Sequence, residues 1–401
     1  MNNSWSKVTL GEVTTIINGG TPSTNNADYW GGEIVWITTT ELTAADGKRV
    51  NFSSRTITQN SLISGSARMV RAGTTLVGTT ATIGTCAMAS CDLAFNQQIS
   101  GLTPRTNRLD DAFLFYWIQY SKPIIESFAA GTSFKRISTS VLKTIPVNYP
   151  PLPEQKRIVD LISSVDSYIE ALQQQLDSVK RSRNALLHEL LTAGGDDWVE
   201  TTIGEVVSVV NGGTPSTKSE DYWGGSIVWI TTTELTAFDG KRVNSSKRTI
   251  TVDGLRNGPA RLVRAGTTLV GTTATIGTCA LADCELTFNQ QISGLIPLDK
   301  DLDDSYLFYW IQHIKSILEG LSAGTSFKRI STSVLKTVSI NFPPIGEQKR
   351  IAAVISEMDE FIESIQRTSI EAKNLRSGLL SDLLSGTHEI PVTYDKVFGA
   401  A

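Results

Sequence analysis

Between residues 154 and 191 the chain carries neither glycine nor proline, and its apolar side chains recur in sevens. Ile158, Val165, Leu172, Val179 and Leu186 share one heptad position, and Ile162, Ile169, Leu176 and Leu190 fall four residues on. Sustained over five heptads with polar flanks, this spacing predicts a long helix with a coiled-coil seam. Thirty-eight residues of helix span about 57 Å. The same stripe returns at Ile351, Met358, Ile365, Ala372 and Leu379, with Ile355, Ile362 and Leu383 beside it. The stretch before each helix reads differently. Short β-type runs (EIVWITT, TTLVG, NQQISGL) alternate with turn clusters (NGGTPST, AADGKR), and one helical run, DDAFLFYWIQYSK, follows. Pro150-Pro151 closes that stretch, because proline restricts the residue before it.

The two stretches are one module repeated. Sliding the chain by 193 residues superposes it on itself without a gap. NGGTPST at 18 meets NGGTPST at 211, ATIGTCA at 81 meets 274, and GTSFKRISTSVLKT at 131 meets 324. From Asn18 to Ile158 only 38 of 141 aligned positions differ. Beyond Val159 identity drops while the apolar pattern persists. The period is too long for a solenoid of roughly 20–50-residue units. Each apolar stripe needs a partner, and the other copy is nearest to hand. Antiparallel pairing would set two heads at opposite ends about a pseudo-twofold axis. Packing of each helix on its own head, or against another chain, is the alternative.

Bulk properties narrow the class. A net charge of −4 argues for no basic tail, although charge distribution rather than its total decides binding. No apolar run reaches membrane-spanning length and the start has no signal-peptide core, so the chain reads as soluble and cytoplasmic. Cys86, Cys91, Cys279 and Cys284 form one C-x4-C pair per copy. Zinc would require both pairs to meet in space; buried thiols are the plainer reading. There is no dinucleotide loop, no phosphate loop and no nucleophile elbow. Asn148-Tyr149-Pro150-Pro151 and Asn341-Phe342-Pro343-Pro344 have the wrong order for an adenine methyltransferase motif and read as linkers. Of three histidines, His188 lies on the long helix, His388 in the tail, and His313 is Tyr120 in the other copy, which speaks against histidine catalysis.

Three phrases, each present in both halves, carry a resemblance: NGGTPST…YWGG…VWITTTEL, FNQQISGL, and GTSFKRIS…LKT…PP…EQKRI running into the helix. In this order and spacing the chain resembles the DNA-specificity subunit of type I restriction–modification systems. The resemblance implies an α+β chain of two target-recognition domains separated by long helices. Its expected divisions are recognition domains at 1–150 and 194–343, spacer helices at 151–193 and 344–385, and a disordered tail from Gly386 to Ala401. It also implies no chemistry in the chain itself and no cofactor of its own. S-adenosylmethionine belongs to two adenine methyltransferase partners docked on the helices, with a restriction–translocase subunit as an optional further partner. Each head would read half of a split double-stranded DNA site, and the helices would set the spacing.

Candidate DNA contacts follow from side-chain chemistry. Arg suits guanine, Asn and Gln suit adenine, and hydroxyls and cations suit phosphate. Thr21 and Ser23 sit in a Gly/Pro-rich loop, where turn chemistry is the bland alternative. Thr38, Thr39 and Thr40 end a strand. Lys48, Arg49 and Arg68 add charge, as do Arg55 and Arg71, though each alone reads as a solvated surface cation. Asn96 and Gln98 share a face if their segment is a strand. Ser133, Lys135 and Arg136 make a basic block after Gly131. Their counterparts are Thr214, Ser216, Thr231, Thr232, Thr233, Lys241, Arg242, Arg261, Asn289, Gln291, Ser326, Lys328 and Arg329. The segments 59–66 and 105–108 diverge between copies and are assigned to solvent-facing loops. Twin readers about a twofold axis predict a bipartite palindrome. A self-contained enzyme, or a coiled-coil scaffold whose heads bind protein or glycan, are the rival classes.

Overall fold

The computed structural model describes residues 5–129, 136–322 and 329–395, and divides into two compact units: Met1–Gln173 with Arg367–Ala401, and Gln174–Gln366. Each unit holds one head together with half of each long helix.

In the first unit a five-stranded sheet runs in the order Thr14–Asn18, Ile99–Pro104, Thr75–Gly78, Cys86–Ala89, Arg49–Val50, antiparallel except for the last pair. A second sheet places Trp30–Ile37 between Thr56–Ile57 and Leu93–Phe95, with Met69–Val70 beyond. The second unit repeats the five-stranded sheet, starting at Val207–Asn211 and ending at Lys241–Val243. Helix Asp111–Tyr120 begins where the Asp110 carboxylate accepts from the N–H groups of Ala112 (2.9 Å) and Phe113 (3.0 Å). Phe113 through Ile118 are all buried. A helix apolar on every side must be covered on every side. One face meets Val77, Cys86 and Met88 of the sheet, and another meets Ile158, Ile162, Leu383 and Leu384 of the long helices.

The long helices run Leu152–Thr192 and Ile345–Leu384. In the first unit they pack antiparallel: Ile158 and Ile162 share a core with Leu383 and Leu384, while Asp166, further along, meets Arg376. In the second unit, Leu187 and Leu191 share a core with Ile351 and Ile355. The heptad reading is right at Ile158, Ile162, Leu172 and Leu176 and drifts thereafter. Burial passes to Leu187 and Leu191 rather than Leu186 and Leu190. A straight helix of 3.6 residues per turn loses a strict seven-residue repeat by about 20° per heptad.

Glutamine in the repeated EQKRI phrase joins head to helix. Gln155 is fully buried; it accepts from Asp110 N (2.8 Å) and donates to the carbonyls of Arg108 (2.8 Å) and Pro150 (2.7 Å). Gln348 does the same with Asp303, Asp301 and Pro343.

Three expectations need correction. Asn96-Gln97-Gln98 is not strand but the turn between Leu93–Phe95 and Ile99–Pro104. The divergent segment 59–66 is not simply loop, since Gln59–Ile63 and Val252–Asn257 are short helices. Residues 386–395 of the tail are ordered: Ile390 is buried, Tyr394 donates to Asp160 (2.6 Å) and Arg157 pairs with Asp395 (3.0 Å). Among the described residues no helix is long and apolar enough to cross a membrane.

Candidate nucleic-acid interface

The NGGTPST phrase is a loop pressed against its neighbours. A Cβ on Gly19 would stand 2.1 Å from the Asn96 carbonyl oxygen, and one on Gly20 would stand 2.4 Å from that of Ser66. Only glycine fits such an approach. Two indoles then tie the loop down. Trp36 Nε1 donates to the Gly20 carbonyl and Trp30 Nε1 to that of Ser23, both at 3.0 Å. Thr21 donates to the Gln97 side chain. Asn18 holds Ser100 and Thr139 through its Oδ1, each at 2.9 Å, and Arg68 donates to its carbonyl at 3.0 Å.

The amide turn joins the same surface. Thr39 donates to Gln98 Oε1 (3.0 Å), and Gln98 N donates to Asn96 Oδ1 (3.0 Å). Asn96 is 8% exposed and its amide is spent on Thr39 and this turn, so it presents no free edge to a base. Thr79 bonds the Gln98 carbonyl, and Thr80 bridges to Arg136. Next to Thr80, Ala81 has φ +63° and is exposed, with Thr82 N donating to Thr80 O at 2.7 Å. A non-glycine γ-turn of this hand is strained. Ala274 repeats it at φ +65°. Loop 18–24, turn 96–98, Thr39, turn 79–82 and Arg136 therefore converge. In the second unit Thr214, Ser216, Thr232, Asn289, Gln291 and Arg329 stand likewise.

Other candidates fall elsewhere or have local duties. Thr38 and Thr231 are helix N-caps in reciprocal boxes with Glu41 and Glu234. Thr40 and Thr233 are exposed on the first turn that follows. Lys48 and Arg49 lie at the far edge of the five-stranded sheet from Asn18, four strand spacings or about 19 Å away. The structure does not bring them to the loop cluster. Lys241 and Arg242 sit the same way, and Arg242 pairs with Asp283 at 3.3 Å. Arg261 donates to the neighbouring Ala260 carbonyl. Arg71 and Arg264 are locked to Asp111 and Asp304, each with a closest approach of 2.6 Å. Ser133, Lys135, Ser326 and Lys328 lie outside the described residues.

Glu41 organises the next loop. Burial alone would raise its pKa, but N–H and hydroxyl bonds from Ser54 and Thr38 outweigh that and hold it below the usual carboxylate range. The cysteines take no part. Burial, helped by the Asp46 charge, pushes Cys86 up to about 12, and Cys279 is raised further by the same causes with Asp239. Among the described residues no three His, Cys, Asp or Glu side chains converge on a metal position.

Two homologous heads, each with a buried helix packed on a five-stranded sheet and each leading into a long helix, define a tandem-repeat class of chain. The family model for the type I restriction modification DNA specificity domain matches residues 2–181 and again 195–374, and the chain belongs to that family. It is 35% identical over 170 residues to the type I restriction enzyme MjaIX specificity subunit of Methanocaldococcus jannaschii; that match covers 42% of this chain and 39% of the relative. The chain thus spans about two fifths of that relative's length. A type I restriction–modification S subunit from M. genitalium superposes with TM-score 0.60 at 15% identity, covering 96% of this chain and 97% of that one. A chain from a structure concerned with complex assembly and conformational transition of the type I R-M system gives 0.64 at 18% identity, covering 96% and 98%. At such identity the likeness is one of fold.

Proposed function

We propose that this chain is the specificity subunit of a type I restriction–modification complex. It reads a bipartite DNA site and positions adenine methyltransferase subunits that carry S-adenosylmethionine, and it performs no chemistry itself. Each head reads one half-site through loop 18–24, Gln97–Gln98, Thr39–Thr40 and Arg136, or their second-copy equivalents. The long helices set the distance between half-sites, with two methyltransferase subunits docked on them and a restriction subunit as an optional addition.

The observation that carries this reading is the tandem family match combined with where the repeats differ. Every residue of the converging loops is the same in both copies, whereas the differences fall outside them, including those at 25–27, 52, 54 and 59–66 and also within 103–108, 112–129 and 145–153. Equal readers call for equal half-sites, so the site is a palindrome with a nonspecific spacer, by the logic that matches symmetric proteins to symmetric operators. The test is co-expression with the adenine methyltransferase subunit and mapping of methylated adenines by single-molecule sequencing. A split palindrome methylated on each strand supports the whole reading. An asymmetric split motif removes the equal-heads argument and keeps the function. A folded complex that methylates nothing removes the function.

A further inference from the structure

One cation outside the converging loops is held in a way that ordinary surface arginines are not. The Arg55 guanidinium lies over the Trp30 ring, 3.6 Å from its centroid, and Trp36 stands edge-on to Trp30 at 5.0 Å and 88°. The second unit repeats the arrangement: Arg248 is 3.6 Å from Trp223, and Trp229 stands edge-on to Trp223 at 4.9 Å and 85°. The backbone beneath the arginine is fixed as well. The buried Ser53 hydroxyl accepts from Trp36 N (3.0 Å) and donates to the Arg55 carbonyl (2.7 Å). Ser246 does both for Trp229 (3.1 Å) and Arg248 (2.7 Å). Glu41 accepts from Ser54 N at 2.6 Å, and Glu234 accepts from Lys247 N at the same distance.

Arg55 and Arg248 are exposed, and among the described residues neither makes an ion pair. Arg71, Arg264, Arg183 and Arg376 all do. A planar guanidinium whose face is stacked keeps its N–H edge pointing outward in one orientation. Little side-chain freedom is then lost when that edge meets a pair of acceptor atoms. The indole of Trp30 also holds Ser23, so this platform adjoins the NGGTPST loop directly.

From this geometry we infer that Arg55 and Arg248 are DNA-contacting residues. Each is presented on its tryptophan pair to a two-acceptor edge, supplied either by a guanine (O6 and N7) or by a backbone phosphate. The inference rests on the DNA reading above. The stack holds even though positions 52, 54 and 59–66 around it differ between copies, so both heads would make the same contact.

The test uses the full chain assembled with its methyltransferase subunits, first mapping the wild-type motif. Arg55→Lys with Arg248→Lys keeps the charge and loses the planar fork; Arg55→Gln with Arg248→Gln loses the charge as well. Methylation rates are measured on the mapped duplex, on every single-base change within the half-sites, and across a salt series. A guanine contact predicts a fall of about 5- to 140-fold per head on the mapped duplex, with tolerance appearing at one position of each half-site. A phosphate contact predicts an equal fall on every duplex, with the salt slope of the glutamine variant shallower by about one per head. Either result supports the platform and tells its source. Variants within about twofold of wild type on all duplexes overturn it. A wild-type complex that methylates no DNA overturns the DNA reading itself, and the platform with it.

Discussion

Replacing Asp359 by alanine removes an acceptor on which three elements converge. Its Oδ1 accepts from Arg183 Nε at 2.9 Å, and its Oδ2 accepts from Arg183 at 3.0 Å and from the Tyr309 hydroxyl at 3.1 Å. Arg183 also donates to Gln312 at 2.9 Å. Arg183 belongs to the first long helix, Asp359 to the second, and Tyr309 and Gln312 to the head. The Arg183 side chain is 10% exposed and that of Asp359 30%. Without the carboxylate, a guanidinium with little access to water keeps one amide partner. Breaking a buried pair costs about 3–5 kcal/mol, and the partial exposure of Asp359 lowers this to about 2–4 kcal/mol. In a unit of this size each kcal/mol shifts the midpoint by about 2–4 °C, so a fall of about 4–16 °C is expected in calorimetry.

The repeat supplies its own control. Asp166 accepts from Tyr116 (2.9 Å) and from Arg376, and Arg376 donates to Gln119 (2.8 Å), but Arg376 is 19% exposed. Asp166→Ala should therefore cost less, about 1–3 kcal/mol. The double change Arg183→Met with Asp359→Leu should recover most of the loss, because an apolar pair removes the desolvation penalty with the charge. What it should not recover is register: under the proposed function, the complex with methyltransferase subunits should then methylate sites with more than one spacer length, since a buried polar network pins alignment that apolar side chains leave loose. Equal stability of Asp359→Ala and wild type, or a larger loss from Asp166→Ala than from Asp359→Ala, would refute this account of the network.

In the folded chain a thiol reagent should titrate Cys91 and Cys284 and spare Cys86 and Cys279, which are 1% and 0% exposed; rapid reaction of all four would contradict the packing. Burial, and then the charge of His188 5.3 Å away, lower the pKa of His313. A depressed folded pKa means stability is present above the unfolded value of about 6.5 and is lost as pH falls through the folded one. The second unit should thus weaken on acidification below about pH 6.5, and His313→Tyr, the residue of the other copy, should remove that slope in pH-dependent denaturation. Ending the chain after Leu384 deletes buried Ile390 and leaves Arg157, 9% exposed, without Asp395. The expected cost is about 2–4 kcal/mol, read by urea unfolding, and an unchanged midpoint would mean the tail packs without consequence.

How legible this was depended on the range of the interactions. The long helices, the buried run Phe113–Ile118 and the duplication are periodic or local, and the residues show them directly. Thr38 was harder: a threonine after Trp36 serves a strand end or a cap, and Glu41 three residues on is the signal that decides for the cap. FNQQISGL runs between strand residues without a Gly or Pro before Gly101, so the amide triplet reads as strand. Its turn is closed locally, by Ile99 N donating to the Asn96 carbonyl at 3.1 Å and Gln98 N to the Asn96 side chain at 3.0 Å, and Gly19 packs against that carbonyl from another part of the chain. The tail was misread for a similar reason. Nothing in GTHEIPVTYD announces that Asp395 will meet Arg157, a partner 238 positions away. Arg55 reads alone as a solvated cation because its partner, Trp30, opens a strand far from it in sequence.

The repeat also sorts the cations by more than their number. An arginine locked to a carboxylate offers little net charge to a phosphate, and this removes Arg71 and Arg264 from the interface in both copies. Arg49 and Arg242 separate the copies: Asp283 pairs with Arg242, while serine stands at 90 beside Arg49. If the sheet edge carrying Arg49 touched DNA, the two heads would bind unequally, and the proposed palindrome would survive only if that contact read no base. If it does not, Ser90→Asp should leave methylation unchanged at every salt concentration. Weaker methylation by Ser90→Asp, steeply salt-dependent and confined to one half-site, would extend the interface around the head from the converging loops to that edge.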